Sequence, residues 1–254
     1  MSVGTSRLTG KVALVTGASG GIGVEIVRRL ADEGAAVMIT DVPGTPRDEL
    51  RDGLADPERH SVADLDIAEE SGWERVVAEA QDRFGTLDIL VNNGAIGSLG
   101  NVVEETLDNY QRVVDISQTG TWLGMKHAGA LIERSGGGSI VNLCSILGTV
   151  GGLGNSVAYA AAKGAVATMT KNAALHWAKR GVRVNSVHPG FIGTEQLRHR
   201  YEGTERYAAM LANTPMGRLG DAADVAAAVA FLAGDDALYV TGTELFVDGG
   251  WTCA

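Results

Sequence analysis

The chain has 254 residues, 45% of them apolar and 20% charged, with 35 glycines, two cysteines and a formal net charge of −10. This composition excludes a disordered chain, and one α/β domain spanning residues 1–254 accounts for the length. The acidic balance argues against nucleic acid and against anionic membranes, and Cys144 and Cys253 form neither a disulfide framework nor a metal spacing.

Residues 1–7 lack the apolar core of a secretion signal, so a cytoplasmic location is expected. Lys11 to Thr16 is an apolar run that predicts a strand. Ile22 to Gly34 follows at helical period, with Ile22, Ile26, Val27 and Leu30 on one face and Gly34 as the stop. Ala36 to Thr40 is the second strand, and a polar segment with Pro43, Pro46 and Pro57 leads to a third near Ser61 to Leu65. A helix over Ala68 to Phe84, a strand over Leu87 to Val91 and a long helix from Leu107 to Glu133 come next. The fifth strand is Ser139 to Leu143, followed by a helix from Ser156 to Arg180 and a sixth strand over Val182 to Val187. Thr194 to Asn213 reads as a polar, mobile segment, within a substrate loop of about 190–215. Asp221 then caps a helix ending near Gly234, and Thr243 to Val247 is the seventh strand. Strands alternating with crossover helices predict a doubly wound (Rossmann) seven-stranded parallel sheet with helices on both faces. Its ligand belongs beyond the carboxyl ends of the strands, where the strand order reverses.

No charged residue lies between Arg134 and Lys163, but repeated glycines, Asn142 and Ser145 make that stretch too polar and too interrupted to span a membrane. The first strand-to-helix turn reads Thr16-Gly17-Ala18-Ser19-Gly20-Gly21-Ile22-Gly23. Glycine lets backbone approach a phosphate, and the helix behind it presents free N–H groups to the anion. Asp41 ends the second strand, 18 positions after Gly23. A carboxylate there accepts from ribose hydroxyls and repels a 2′-phosphate, and the turn itself holds no Lys or Arg, so NAD is expected rather than NADP.

Tyr159 and Lys163 stand at i and i+4 of a predicted helix and so share a face. A neighbouring ammonium stabilises a phenolate, so the pair predicts a phenol acidified for proton transfer. Ser145, 14 residues earlier and just past the fifth strand, can hold a substrate oxygen; no Gly-x-Ser-x-Gly elbow makes it a nucleophile. The five histidines have no metal-ligand spacing, so packing or surface roles are expected of them and no metal is.

Thr-Gly-x-x-x-Gly-Ile-Gly, the upstream serine, Tyr-x-x-x-Lys, Arg183 to Gly190 and the ending Val247-Asp248-Gly249-Gly250-Trp251 occur here in order. Over nearly its whole length the chain resembles the short-chain dehydrogenase/reductases, and among them the 3α/20β-hydroxysteroid and cyclic-alcohol dehydrogenases. The resemblance implies Tyr159 as general acid/base, Lys163 as partner of the nicotinamide ribose and of the phenol, and Ser145 as orienter of the substrate oxygen. It implies a cofactor site of Gly17, Ser19, Gly21, Ile22, Gly23, Asp41, Val42, Asp66, Ile67, Asn92, Asn93, Gly94, Tyr159, Lys163, Pro189, Gly190, Ile192 and Thr194. It also implies a homotetramer paired through the two long helices, with Trp251 joining such a contact.

Two positions depart from the family pattern. Asn92-Asn93-Gly94-Ala95 stands where Asn-Asn-Ala-Gly is usual, and Ser117 stands where the catalytic asparagine is usual. Ser117 keeps a carbonyl and a small hydroxyl, enough for a water-mediated proton relay. The pocket side chains expected are Ile146, Leu147, Leu153, Phe191 and Leu197, with little charge near the catalytic pair. An apolar slot predicts a small hydrophobic secondary alcohol or ketone: steroid, alicyclic or aryl. A 3-oxoacyl reductase and a catalytically weak NAD-binding sensor or scaffold are the alternatives.

Overall fold

In a computed structural model, which describes residues 6–254, one seven-stranded sheet runs through the molecule in the order β3-β2-β1-β4-β5-β6-β7, every neighbouring pair parallel. Its strands are β1 (Val12–Thr16), β2 (Ala36–Asp41), β3 (Ser61–Asp64), β4 (Ile89–Asn92), β5 (Gly138–Leu143), β6 (Val182–Pro189) and β7 (Glu244–Val247). The helices are α1 (Gly21–Asp32), α2 (Arg47–Asp52), α3 (Glu70–Phe84), α4 (Leu107–Val113), α5 (Gly120–Arg134), α6 (Val157–Trp177), α7 (Glu195–Tyr201), α8 (Glu205–Ala212) and α9 (Ala222–Ala233).

The inner strands β1, β2 and β4 are nearly continuous apolar runs because both faces of a parallel sheet are covered. Alternation along β1 shows it: Ala13 and Val15 point into the layer of α1 and α9, Val12 and Leu14 into the layer of α3, α5 and α6. In the first layer Ile26, Val27 and Leu30 meet Val225 and Val229; in the second, Trp73, Val76, Leu123, Leu131 and Trp177 fill the core. β1 is also pinned at its start, where the Val12 N–H donates to the Asp88 carboxylate at 2.8 Å.

Three expectations change. Thr194 to Asn213 is not an irregular segment but two short helices, since the Thr194 and Thr204 hydroxyls accept from the Leu197 and Tyr207 amides and cap α7 and α8. The proline-rich stretch after β2 contains α2, anchored by Arg47, which donates to the carbonyls of Asp41 and Ala63 at 2.8 Å each. The helix expected over Leu107 to Glu133 is interrupted by a π-helical turn, Val114–Thr119, between α4 and α5.

The strand order reverses between β1 and β4, and the crevice at their carboxyl ends is where this fold takes a ligand. Asn93 closes the crevice wall: its side-chain amide donates to the carbonyls of Thr16 and Gly17 at 3.0 and 2.8 Å, and the Thr16 hydroxyl accepts from the amides of Asn93 and Gly94 at 3.0 Å each.

Candidate active site

The glycine turn leaves β1 and enters α1 with Gly17 and Gly21 at φ of +58° and +50°, backbone that L side chains rarely adopt. A Cβ on Gly17 would come 2.7 Å from the Gly94 Cα, so the turn and the β4 loop touch backbone to backbone. Gly20 caps α1 without a side chain and no acidic residue occupies the first turn, which leaves the helix N-terminus open to an anion. Asp41 closes the other side: its carboxylate accepts from the Ser19 N–H at 2.9 Å and from the Val42 N–H at 2.8 Å. Sequence reasoning missed Arg47 beside it. That guanidinium is engaged by two carbonyls and by the Asp64 carboxylate, so it leaves the charge at Asp41 negative. A bare helix N-terminus, glycine backbone and a fixed carboxylate fit a nicotinamide dinucleotide.

Further along the crevice Ile67 packs against Gly94 and Gly120, and the exposed Asp66 carboxylate accepts from the Ala68 N–H at 3.0 Å. Thr194 faces Gly21, its methyl 3.5 Å from where a Cβ would stand. Gly190 abuts Asp248, and Ile192 makes a parallel bridge to Gly220. Asn92 does not face the crevice. Its side chain is buried behind the sheet and donates to Asn142 at 2.8 Å, because the pleat turns it towards α5. Only its main chain is left for a cofactor.

Ser145 follows β5 and opens a short turn in which its hydroxyl accepts from the Leu147 N–H at 3.1 Å. Tyr159 and Lys163 lie in the first turns of α6, with the Lys163 ammonium 5.6 Å from the centre of the phenol ring. Lys163 is 2% exposed and donates to the Leu143 carbonyl at 2.6 Å. Burial pushes its pKa down to about 8, against the Cys144 thiol, which favours the ammonium. The Tyr159 phenol moves the other way, up to about 12: burial raises it, Cys144 adds to the rise, and the Ser145 hydroxyl opposes it. The acidified phenol expected from the i, i+4 spacing is therefore absent from this arrangement, since Leu143 holds the ammonium and desolvation outweighs what remains.

Ser117 is fully buried in the π-helical turn. Its hydroxyl donates to the Ile96 carbonyl and accepts from the Ile96 N–H, both at 3.0 Å, and its carbonyl accepts from the Thr121 hydroxyl at 2.9 Å. His188, one of the histidines expected only to pack, also touches the site. It is buried at the end of β6, with Nδ1 3.1 Å from the Ser145 carbonyl and Nε2 2.9 Å from the Ser186 hydroxyl. Burial lowers its pKa, so the neutral ring can donate to Ser145 from Nδ1.

Beside the Ser145 turn and the first turns of α6 lies a cavity of about 220 Å³, lined by Leu147, Leu153, Ala160, Phe191, Val102 and Arg206 among others. Leu147, Leu153 and Phe191 are where the pocket was expected. Ile146 is instead buried beneath it and Leu197 lies outside the lining. The expectation of little charge is overturned by Arg206, brought in by α8. Trp251 folds back and packs edge-on against Phe191, with ring centres 4.8 Å apart. Among the described residues no helix is long and apolar enough to cross a membrane.

Comparison with known proteins agrees with this geometry. Residues 17–252 match the family described as enoyl-(acyl carrier protein) reductase. The chain is 37% identical to 2,5-dichloro-2,5-cyclohexadiene-1,4-diol dehydrogenase of Sphingobium indicum, over 97% of this chain and 98% of that one. It is 40% identical to cis-4-hydroxycyclohexanecarboxylate dehydrogenase of Sinomonas cyclohexanicum, over 95% and 96%. Cyclohexanol and hydroxysteroid dehydrogenases are also among its relatives. The crystal structure of gox2181 superposes with a TM-score of 0.95 at 32% identity, covering 100% of both chains. The chain belongs to the short-chain dehydrogenase/reductase family and is an oxidoreductase.

Proposed function

We propose that the protein interconverts cyclic secondary alcohols and their ketones with NAD. The observation that carries this reading is the meeting of Ser145, Tyr159 and Lys163 at the carboxyl ends of β5 and α6's first turns, beside an apolar cavity and in line with a crevice ended by the Asp41 carboxylate. NAD, when bound, supplies the acceptor for a hydride from the carbinol carbon. The remaining balance falls to the protein: in oxidation the hydroxyl proton passes to the phenolate oxygen of ionised Tyr159 as the carbon–oxygen double bond forms, and in reduction the phenol returns it. Ser145 orients the reacting oxygen, held in turn by the Leu147 N–H and by His188 on its carbonyl. Lys163, buried and held by the Leu143 carbonyl, supplies the charge beside the phenol, and Ser117 keeps a carbonyl for a water-mediated relay.

Asp41 supports NAD over NADP, and no residue of the site favours an acyl-carrier thioester. A complete Ser-Tyr-Lys set speaks against a sensor or scaffold without turnover. The cavity volume, below the ~300–1,000 Å³ of drug-sized clefts, favours a single ring over a fused steroid. An assembly of four copies in the cytoplasm is part of this reading, supported by an exposed apolar face on α5 and α6.

The test is a panel of cyclic alcohols with NAD and NADP, run on the protein and on Tyr159→Phe. NAD-linked turnover that the substitution lowers at least about 10³-fold, with NAD affinity within about twofold, is the expected outcome. An NADP preference would remove the Asp41 argument, and an unimpaired Tyr159→Phe would remove the mechanism.

A further inference from the structure

Arg206 stands in the first turn of α8, and its side chain lines the cavity with Leu147, Leu153, Ala160 and Phe191. Its Nε and Nη1 are buried and have no hydrogen-bond partner, and it forms no ion pair among the described residues. Its one specific neighbour is the Tyr201 ring, 5.2 Å from the guanidinium carbon, and a second cation, Arg200, lies 5.5 Å from the same ring. A guanidinium whose donors are taken out of water without an acceptor is costly. Apart from Asn155 and Ser156 the rest of the lining is apolar or glycine, and none of it offers an acceptor side chain of opposite charge. The other side of this cavity is the catalytic one: Ala160 follows Tyr159, and Leu147 is bonded to the Ser145 hydroxyl. A largely apolar slot that neighbours a proton-transfer site and also holds an unsatisfied cation makes two polar demands on its occupant.

We propose that Arg206 is a specificity-determining residue that binds a carboxylate carried on the ring of the alcohol substrate. The proposal rests on the alcohol-oxidising reading above and narrows it to ring alcohols bearing an anionic group. A planar guanidinium suits a carboxylate better than an ammonium does, and its attraction is strengthened where water is excluded. The anion also repairs the unpaired donors, so it is recognised at little reorganisation cost. A neutral ring alcohol of the same size leaves those donors orphaned and is discriminated against.

The experiment compares 4-hydroxycyclohexanecarboxylate with its methyl ester, which keeps the ring and the reacting hydroxyl but removes the charge. The ratio of kcat/KM for acid over ester is measured for the protein, Arg206→Met and Arg206→Lys. The acid is expected to be preferred, the ratio to fall by roughly tenfold or more in Arg206→Met, and part of it to return in Arg206→Lys. No preference in the unmodified protein, or a ratio that Arg206→Met leaves unchanged, overturns the proposal while the alcohol-oxidising reading stands. If neither alcohol turns over, that reading fails, and calorimetry with cyclohexanecarboxylate, which has no hydroxyl to oxidise, decides on Arg206 alone. Binding weakened by tenfold or more in Arg206→Met sustains it; binding that is absent or indifferent to the substitution overturns it.

Discussion

Tyr159 and Lys163 meet because four residues of helix bring two side chains over one another, and that much is dictated by spacing. What the spacing does not dictate is the sign of the perturbation. The Lys163 ammonium is turned to the Leu143 carbonyl, a partner 20 residues away on β5, and the phenol is left to desolvation. With its pKa raised to about 12, Tyr159 is protonated throughout the neutral range and is ready to donate but not to accept. Ketone reduction should therefore run undiminished at neutral pH. Alcohol oxidation needs the phenolate, whose fraction grows tenfold with each unit of pH below that value, so log kcat/KM for oxidation should climb with a slope near one between about pH 7 and 9. Steady-state rates in both directions across that range are the measurement, and a flat oxidation profile would mean the phenol is ionised already. The same limit hid Asn92 and Arg206 from sequence reasoning. Asn92 was placed by motif, yet the pleat of β4 sends its amide to Asn142; Arg206 lay in a stretch without motif, and only the fold of α8 brings it to the cavity.

Secondary-structure elements differ in how much of themselves they reveal. The seven strands were legible because a strand buried on both faces must be apolar along its length, and α1, α3 and α9 because their apolar faces repeat. α2, α7 and α8, of six, seven and eight residues, were not. Helices that short carry too few turns for a period and form only where tertiary contacts and caps such as Thr194 and Thr204 sustain them. The π-helical turn was invisible for another reason, being a shift of hydrogen-bond register within continuous helix. That turn places Ser117, whose hydroxyl satisfies both the N–H and the carbonyl of Ile96. An asparagine amide also offers a donor and an acceptor, which explains how serine can stand in its place. Ser117→Ala strands two part-buried main-chain groups and should lower stability by about 1 kcal/mol, with a lower kcat, as read by urea unfolding and steady-state kinetics. Ser117→Asn should keep kcat within about threefold, since the pair of hydrogen bonds to Ile96 is already made. A large gain in turnover would show instead that the hydroxyl leaves the proton relay impaired.

At the scale of the whole molecule, α6 is apolar around most of its circumference although only one side of it meets the sheet. Helices of that composition are ordinarily buried on all sides. Here the outer side remains open: Leu175 is 81% exposed and Trp122, on neighbouring α5, 47%. Met125, Ala130, Ala165, Met169 and Ala173 line a shallow cleft of about 780 Å³ between the two helices. Small residues alternating with Met and Trp let two such faces approach closely, and a two-fold axis makes one face its own partner. Self-association through α5 and α6 should therefore give the mass of two chains by light scattering at micromolar concentration, and the family's four needs a second two-fold face as well. Trp122→Glu puts a charge in the middle of that contact while leaving the sheet and both cores untouched. The variant should fall to one or two chains with its far-ultraviolet circular dichroism unchanged, and it should unfold at lower temperature because burial across the interface no longer contributes. An unmodified protein that scatters as a single chain would show that this face is exposed in solution, and the family's assembly would not extend to this member.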